Sequence, residues 1–145
     1  MSKCIALIHN SSIIIDVVGK IFERICPQFE RINIMDESLL RDIKEKGSID
    51  HLGIRRVCRY AMCAEDFGAD GVVMTCSSLC EAAFASRAMV NIPVFAINEP
   101  MAAEAVMTGE KIVVMGTLQS VLAPTARLVE RKGTEMGKNI TVEEA

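Results

Sequence analysis

Short apolar runs alternate with segments of helical spacing along this chain, and that alternation limits its fold more than any other feature. The run CIALI, residues 4–8, reads as a strand. Residues 12–25 follow, with Ile14, Ile15, Val18, Ile21, Phe22 and Ile25 at helical spacing. Residues 29–35 read as a second strand and 38–46 as a short helix broken at Gly47-Ser48. Ile54, Val57, Cys58, Ala61 and Met62 place a longer helix over 50–67, with Gly68 where a C-terminal cap belongs. Further strands are expected at 71–75, 93–97 and 111–115, and helices at 78–89, 100–109 and 120–132. Residues 139–142 look like the beginning of another strand. Such alternation with short connections implies parallel strands and right-handed crossovers. The strands are nearly continuously apolar, as in a parallel sheet with helices on both faces, so the expected class is α/β.

Length allows one domain, or one domain and part of another: the chain has 145 residues, half of them hydrophobic. No apolar run approaches the length of a membrane span, and the start lacks the long apolar region of a signal peptide. A soluble, cytoplasmic protein is expected, with no membrane partner. The net charge is -3, Lys and Arg are scattered and aromatic residues are few, so no nucleic-acid partner is expected either. The six cysteines, Cys4, Cys26, Cys58, Cys63, Cys76 and Cys80, are read as thiols. No pair has C-x-x-C spacing and neither His9 nor His51 clusters with them, so no metal site is expected.

Ligands of an open parallel sheet bind beyond the carboxyl ends of its strands. There the sequence places His9, Asn10, Ser11 and Ser12; Asp36, Glu37 and Ser38; Cys76, Ser77 and Ser78; Asn98 and Glu99; and Gly116, Thr117 and Ser120. In GVVMTCSSLCEAA, residues 71–83, an apolar strand ends in a thiol and two hydroxyls. Ser78-Leu79-Cys80-Glu81 fits a capping box, with Ser78 as the helix cap and Glu81 answering it. Cys76 would then lie two residues before the cap, near the electropositive start of a helix, a setting that favours thiolates. The same stretch is also consistent with a plain turn and cap. Cys80, on the first turn, is expected to be packed. His9 is a candidate base for Cys76, or else a loop residue that binds substrate or caps the next helix. Gly116 to Ser120 repeats the pattern of hydroxyls at a helix start, which suits a carboxylate or serves only as a turn.

Together these pieces resemble a family. ALIHNSS, MDESLLRD (35–42), GVVMTCSSLCEAA, VFAINEPMAAEAV (94–106) and IVVMGTLQSVLAPTARLVE (112–130) are similar, in order, to the aspartate/glutamate (hydantoin) racemase superfamily. The likeness is to its members with Thr-Cys-Ser-Ser. It implies a racemase-type, flavodoxin-like α/β lobe over 1–97 and the start of a second similar lobe over 98–145, in a chain that reads as part of a longer protein. It implies no cofactor, and a racemase or epimerase acting at the carbon α to the carboxylate of a small amino acid or related acid. Cys76 would be the thiol acid/base. Asn10, Ser11, Ser77, Ser78, Thr117 and Ser120 would bind the substrate, a small-molecule carboxylate, with His9 and Glu99 as further candidates. The family's second cysteine lies late in the second lobe, beyond Ala145, so a 145-residue chain is expected to lack turnover alone. A single-thiol decarboxylase or cis-trans isomerase, and a non-enzymatic carboxylate-binding module, remain as alternatives. A homo-oligomer, specifically a dimer, is expected.

Overall fold

The computed structural model describes residues 2–145. Its elements run β1 (Cys4–His9), α1 (Ile13–Ile25), β2 (Glu30–Met35), α2 (Glu37–Lys46), α3 (His51–Asp66), β3 (Gly71–Met74), a 3-10 turn (Ser77–Leu79), α4 (Cys80–Ser86), β4 (Val94–Ala96), α5 (Glu99–Thr108), β5 (Lys111–Val114), α6 (Gln119–Glu135) and β6 (Thr141–Glu144). The first four strands form one sheet in the order β2-β1-β3-β4. Every neighbouring pair is parallel, so their carboxyl ends share one rim. The α/β class expected from the alternation is the observed one.

Strand pleating sorts the sheet's side chains. On one face Ala6, Ile8, Val72, Met74, Val94 and Ala96 are buried in the same core as Val57, Ala61 and Ala64 of α3 and Ala82 and Ala83 of α4. Small side chains on both partners let helix and sheet approach closely. The other face carries Leu7 and His9, both buried. There α1 meets the sheet through Gly19, where an added Cβ would lie 1.9 Å from Arg31 Nη1. Towards β4 this face is open: Phe95 is 53% exposed and lines a groove of about 980 Å³. Helices thus lie on both faces, but the apolar character of β4 outruns its cover.

Local chemistry sets the helix ends. Asp36 and Asp50 cap α2 and α3, accepting from Ser38 N at 3.0 Å and Gly53 N at 2.9 Å. Gly68, at φ 88°, ends α3 as the sequence implies: its N–H donates to Glu65 O and that of Ala69 to Ala64 O, both at 2.9 Å. Such a paired closure needs a left-handed residue, which glycine adopts without strain. Asp36 does more than cap. Its carboxylate also accepts from the Arg56 guanidinium at 2.6 Å and the Tyr60 hydroxyl at 2.7 Å, tying α2 to α3.

Strands β5 and β6 pair in parallel, from Lys111↔Thr141 to Val114↔Glu144, and form a separate two-stranded sheet. Side chains bond to the outer edge of β4. Arg87 Nε donates to Val94 O at 2.9 Å, Ala96 N donates to Glu99 Oε2 at 3.0 Å, and Arg87 and Glu99 pair at 2.5 Å. With Val94 O and Ala96 N already bonded to side chains, this edge of β4 has fewer free groups for a ladder. Helix α6 instead docks on α4. Arg127 pairs with Glu81, and the Arg131 guanidinium sits 3.9 Å from the centroid of Phe84. These pairs advance in the same direction along both helices, which brings the start of α6 towards the 3-10 turn.

Candidate active site

Strand β3 stops at Met74, and the chain remains extended through Cys76 (φ -129°, ψ 132°) before tightening into the 3-10 turn. Cys76 is the residue that opens this turn, its carbonyl accepting from Leu79 N at 3.0 Å. Here the structure corrects the sequence reading of the cap. Ser78 lies inside the turn, and α4 begins at Cys80 with no side-chain cap. Glu81 does not reach back, because Arg127 of α6 takes its carboxylate.

Released from capping, Ser78 faces the thiol. Its Oγ lies 3.0 Å from Cys76 Sγ. Asn10, just beyond β1, donates its Nδ2 to the same hydroxyl at 3.4 Å. With Asn10 supplying a proton to the Ser78 oxygen, the Ser78 hydroxyl proton is free to point at the sulfur. Asn10 and Ser78 are buried and Cys76 is half-buried, so the rigid pair is seated in the protein while the sulfur keeps access to solvent. Three of the residues singled out from sequence therefore meet at one place.

His9 is not a partner for Cys76. It is fully buried, with Nδ1 2.8 Å from Thr75 Oγ1 and Nε2 3.0 Å from Asn33 Oδ1. The carbonyl of Ile8 accepts from both Thr75 N and the Thr75 hydroxyl, each at 3.0 Å. Burial pushes the His9 imidazole below its ordinary value. The result is a polar tie across β3, β1 and β2 that holds the residue before the thiol. Thr75 and Asn33 were not foreseen as its members.

Glu99 is likewise committed. Besides Arg87 and Ala96, it pairs with Lys132 at 3.3 Å. Burial would raise its carboxyl, but these partners outweigh burial and lower it. Ser11 and Ser77 are half-buried at the rim. Thr117 is exposed on the loop before α6, whereas Ser120 is buried on its first turn. That helix starts at Gln119 after Leu118, so Ser120 is not its cap. No hydrogen bond joins Thr117 or Ser120 to Cys76, although α6 packs against the 3-10 turn. Cys80 is buried, and burial, with Glu99 and Glu81 nearby, pushes its thiol up to about 11. It remains a neutral core thiol.

Among the described residues no cluster of three or more His, Cys, Asp or Glu could hold a metal ion. Among the described residues no helix is long and apolar enough to cross a membrane. What the rim offers is a thiol with solvent access, a hydroxyl and an amide behind it, and further hydroxyls around it. Such a set can take or return a proton and donate hydrogen bonds to an anion.

The family model described as Asp/Glu/Hydantoin racemase matches residues 15–140. Among solved structures, glutamate racemase from Aquifex pyrophilus is similar over 97% of this chain, with 22% identity and a TM-score of 0.69. This chain spans 54% of that protein, about half its length. A 1-deoxy-D-xylulose 5-phosphate reductoisomerase from Zymomonas mobilis, matched over 100% of this chain and 32% of its own, has 16% identity and a TM-score of 0.29, too low to bear on the fold. No curated protein matches the sequence.

Proposed function

The chain belongs to the Asp/Glu/hydantoin racemase family, and from that premise we propose that it serves a cofactor-independent racemase or epimerase acting at the carbon α to the carboxylate of a small amino acid or related acid. Cys76 is the group on one face of that carbon, removing the α-proton as thiolate in one direction of the reaction and supplying one as thiol in the other. Inversion requires an acid and a base on opposite faces, so a second group completes the site from the other side. Ser77 and Ser78 hydroxyls, with Asn10 and Ser11 beside them, bind the carboxylate and stabilise the charge that develops on it when the proton leaves. Thr117 and Ser120 approach from α6 and its loop.

The observation that carries this reading is the Cys76–Ser78 contact of 3.0 Å at the sheet's rim, with Asn10 supporting it. Cys80, by contrast, is sealed in the core. The test is proton exchange in heavy water. The complete protein, dialysed against a chelator and given no pyridoxal phosphate, is incubated with alanine, aspartate or glutamate, and the α-proton signal is followed by NMR. Loss of that signal for at least one of them is expected. Retention of the signal in all of them overturns the proposal.

A further inference from the structure

Helix α1 is apolar on sides that the fold does not cover. Its sequence, IIIDVVGKIFERI, is mostly apolar, yet its one buried residue is Gly19. Ile13, Val17, Ile21 and Ile25, at i, i+4 spacing, are 82%, 57%, 44% and 63% exposed. A helix on the surface turns charge to solvent, whereas one that is apolar all round belongs in an interior.

The sheet beside α1 is uncovered as well. The register Leu7↔Val73 and Val73↔Phe95 puts these three residues on one face, the face that α1 meets. Glu23 of α1 reaches Arg31 of β2 at 3.2 Å, so that flank of the helix looks over β2. Ile21 and Ile25 project from the opposite flank, about half a turn round the helix. In the strand order β2-β1-β3-β4 they look across β1 towards β3 and β4. There Val73, Phe95 and Ile97 line the open groove, Ile97 being 45% exposed. A cylinder about 10 Å wide with the groove's 980 Å³ is about 12 Å long, which is two turns of helix.

One face thus carries a helix with an apolar back and, next to it, a trough of helical bore. A two-fold interface requires that combination, because the same patch serves as knob and as hole. We propose that a second copy of this chain covers this face, the two α1 helices lying side by side and parallel about a two-fold axis, each in the other's trough. Ile21 and Ile25 then meet their own counterparts near the axis, while Ile13 and Val17 rest on Phe95 and Ile97 of the partner subunit. The exposed parts of these six residues make an apolar patch of roughly 600 Å², at the top of what a monomer leaves to solvent. Pairing two such patches removes about 1,200 Å² from water, the size at which stable interfaces begin. The inference depends neither on the thiol nor on any substrate.

The test is the mass in solution by sedimentation velocity over a dilution series in the micromolar range. The wild type should run at twice its 15.9 kDa chain mass. Val17→Lys alters the helix and Phe95→Lys the trough, and each should raise the dimer Kd at least about tenfold, since each places a charge inside the interface. Both residues are exposed in a single copy, so helical circular dichroism should not change. Met115→Lys, at an 80% exposed apolar residue beyond β5, should leave the mass unaltered. Ile21→Cys, mildly oxidised and mapped by mass spectrometry, should give a dimer linked through position 21 of both copies. A monomeric wild type, as when another segment covers the face, overturns the inference. So does a dimer that both lysine variants leave intact, one that Met115→Lys disrupts equally, or one in which position 21 does not link to itself.

Discussion

Replacing Cys76 with alanine is expected to slow α-proton exchange by about 10²- to 10⁴-fold, the contribution of a positioned acid or base. The loss should fall on kcat, with KM little changed, because the hydroxyl and amide groups that hold the carboxylate are other residues. Cys80→Ala is the contrasting variant. It removes a buried sulfur from the core, so it should lower stability modestly and leave exchange per folded molecule close to that of the wild type. Ser78→Ala should lie between them, since it removes the hydroxyl 3.0 Å from the sulfur but leaves the thiol. Comparable exchange rates in wild type and Cys76→Ala would remove the thiol from the chemistry.

The largest expected effect on stability lies at Asp36. Asp36→Ala should cost about 3 kcal/mol in urea unfolding, since it strips a partly buried guanidinium of one carboxylate and also removes a helix cap. Arg56 keeps Asp42 at 2.9 Å, which limits the loss. Asp36→Asn retains an acceptor for Ser38 N and should cost roughly half as much. The same carboxylate sets an acid limit. Burial alone would raise Asp36, but Ser38, Tyr60 and Arg56 outweigh burial and hold it at about 2, below the ordinary 3.8. The unfolded chain therefore takes up this proton first as pH falls. Asp36 contributes its full share, about 2 kcal/mol, above pH ~4, and loses it progressively as pH falls towards ~2. The Asp36→Ala variant should show a flatter decline over that window.

Much of the fold was legible because a parallel sheet writes itself as apolar runs separated by helical periods. Gly68 and Asp50 announce the ends of α3 by chemistry that acts within a few residues. The misread features depend on partners far along the chain. Ser78-x-x-Glu81 has the form of a capping box, but Arg127, from another helix, takes the glutamate. His9 ends a strand, as a rim residue should. Whether it faces a ligand or lies in the sheet depends on register with Asn33 and Thr75, which local sequence does not carry. Glu99 was placed at the correct rim, yet it is spent on the β4 edge with Arg87.

The most direct test of the central claim follows exchange as the thiols are alkylated. Iodoacetamide is added to the protein, and modification at each cysteine is read by peptide mapping beside the rate of α-proton exchange. Cys63 is exposed and supplies an internal reference, while Cys58 and Cys80 are buried. Exchange should fall in proportion to the fraction of Cys76 modified and be independent of Cys63, and a saturating amino acid should protect Cys76 alone. Exchange that continues at its original rate once Cys76 is fully alkylated would contradict the claim that this sulfur carries the proton.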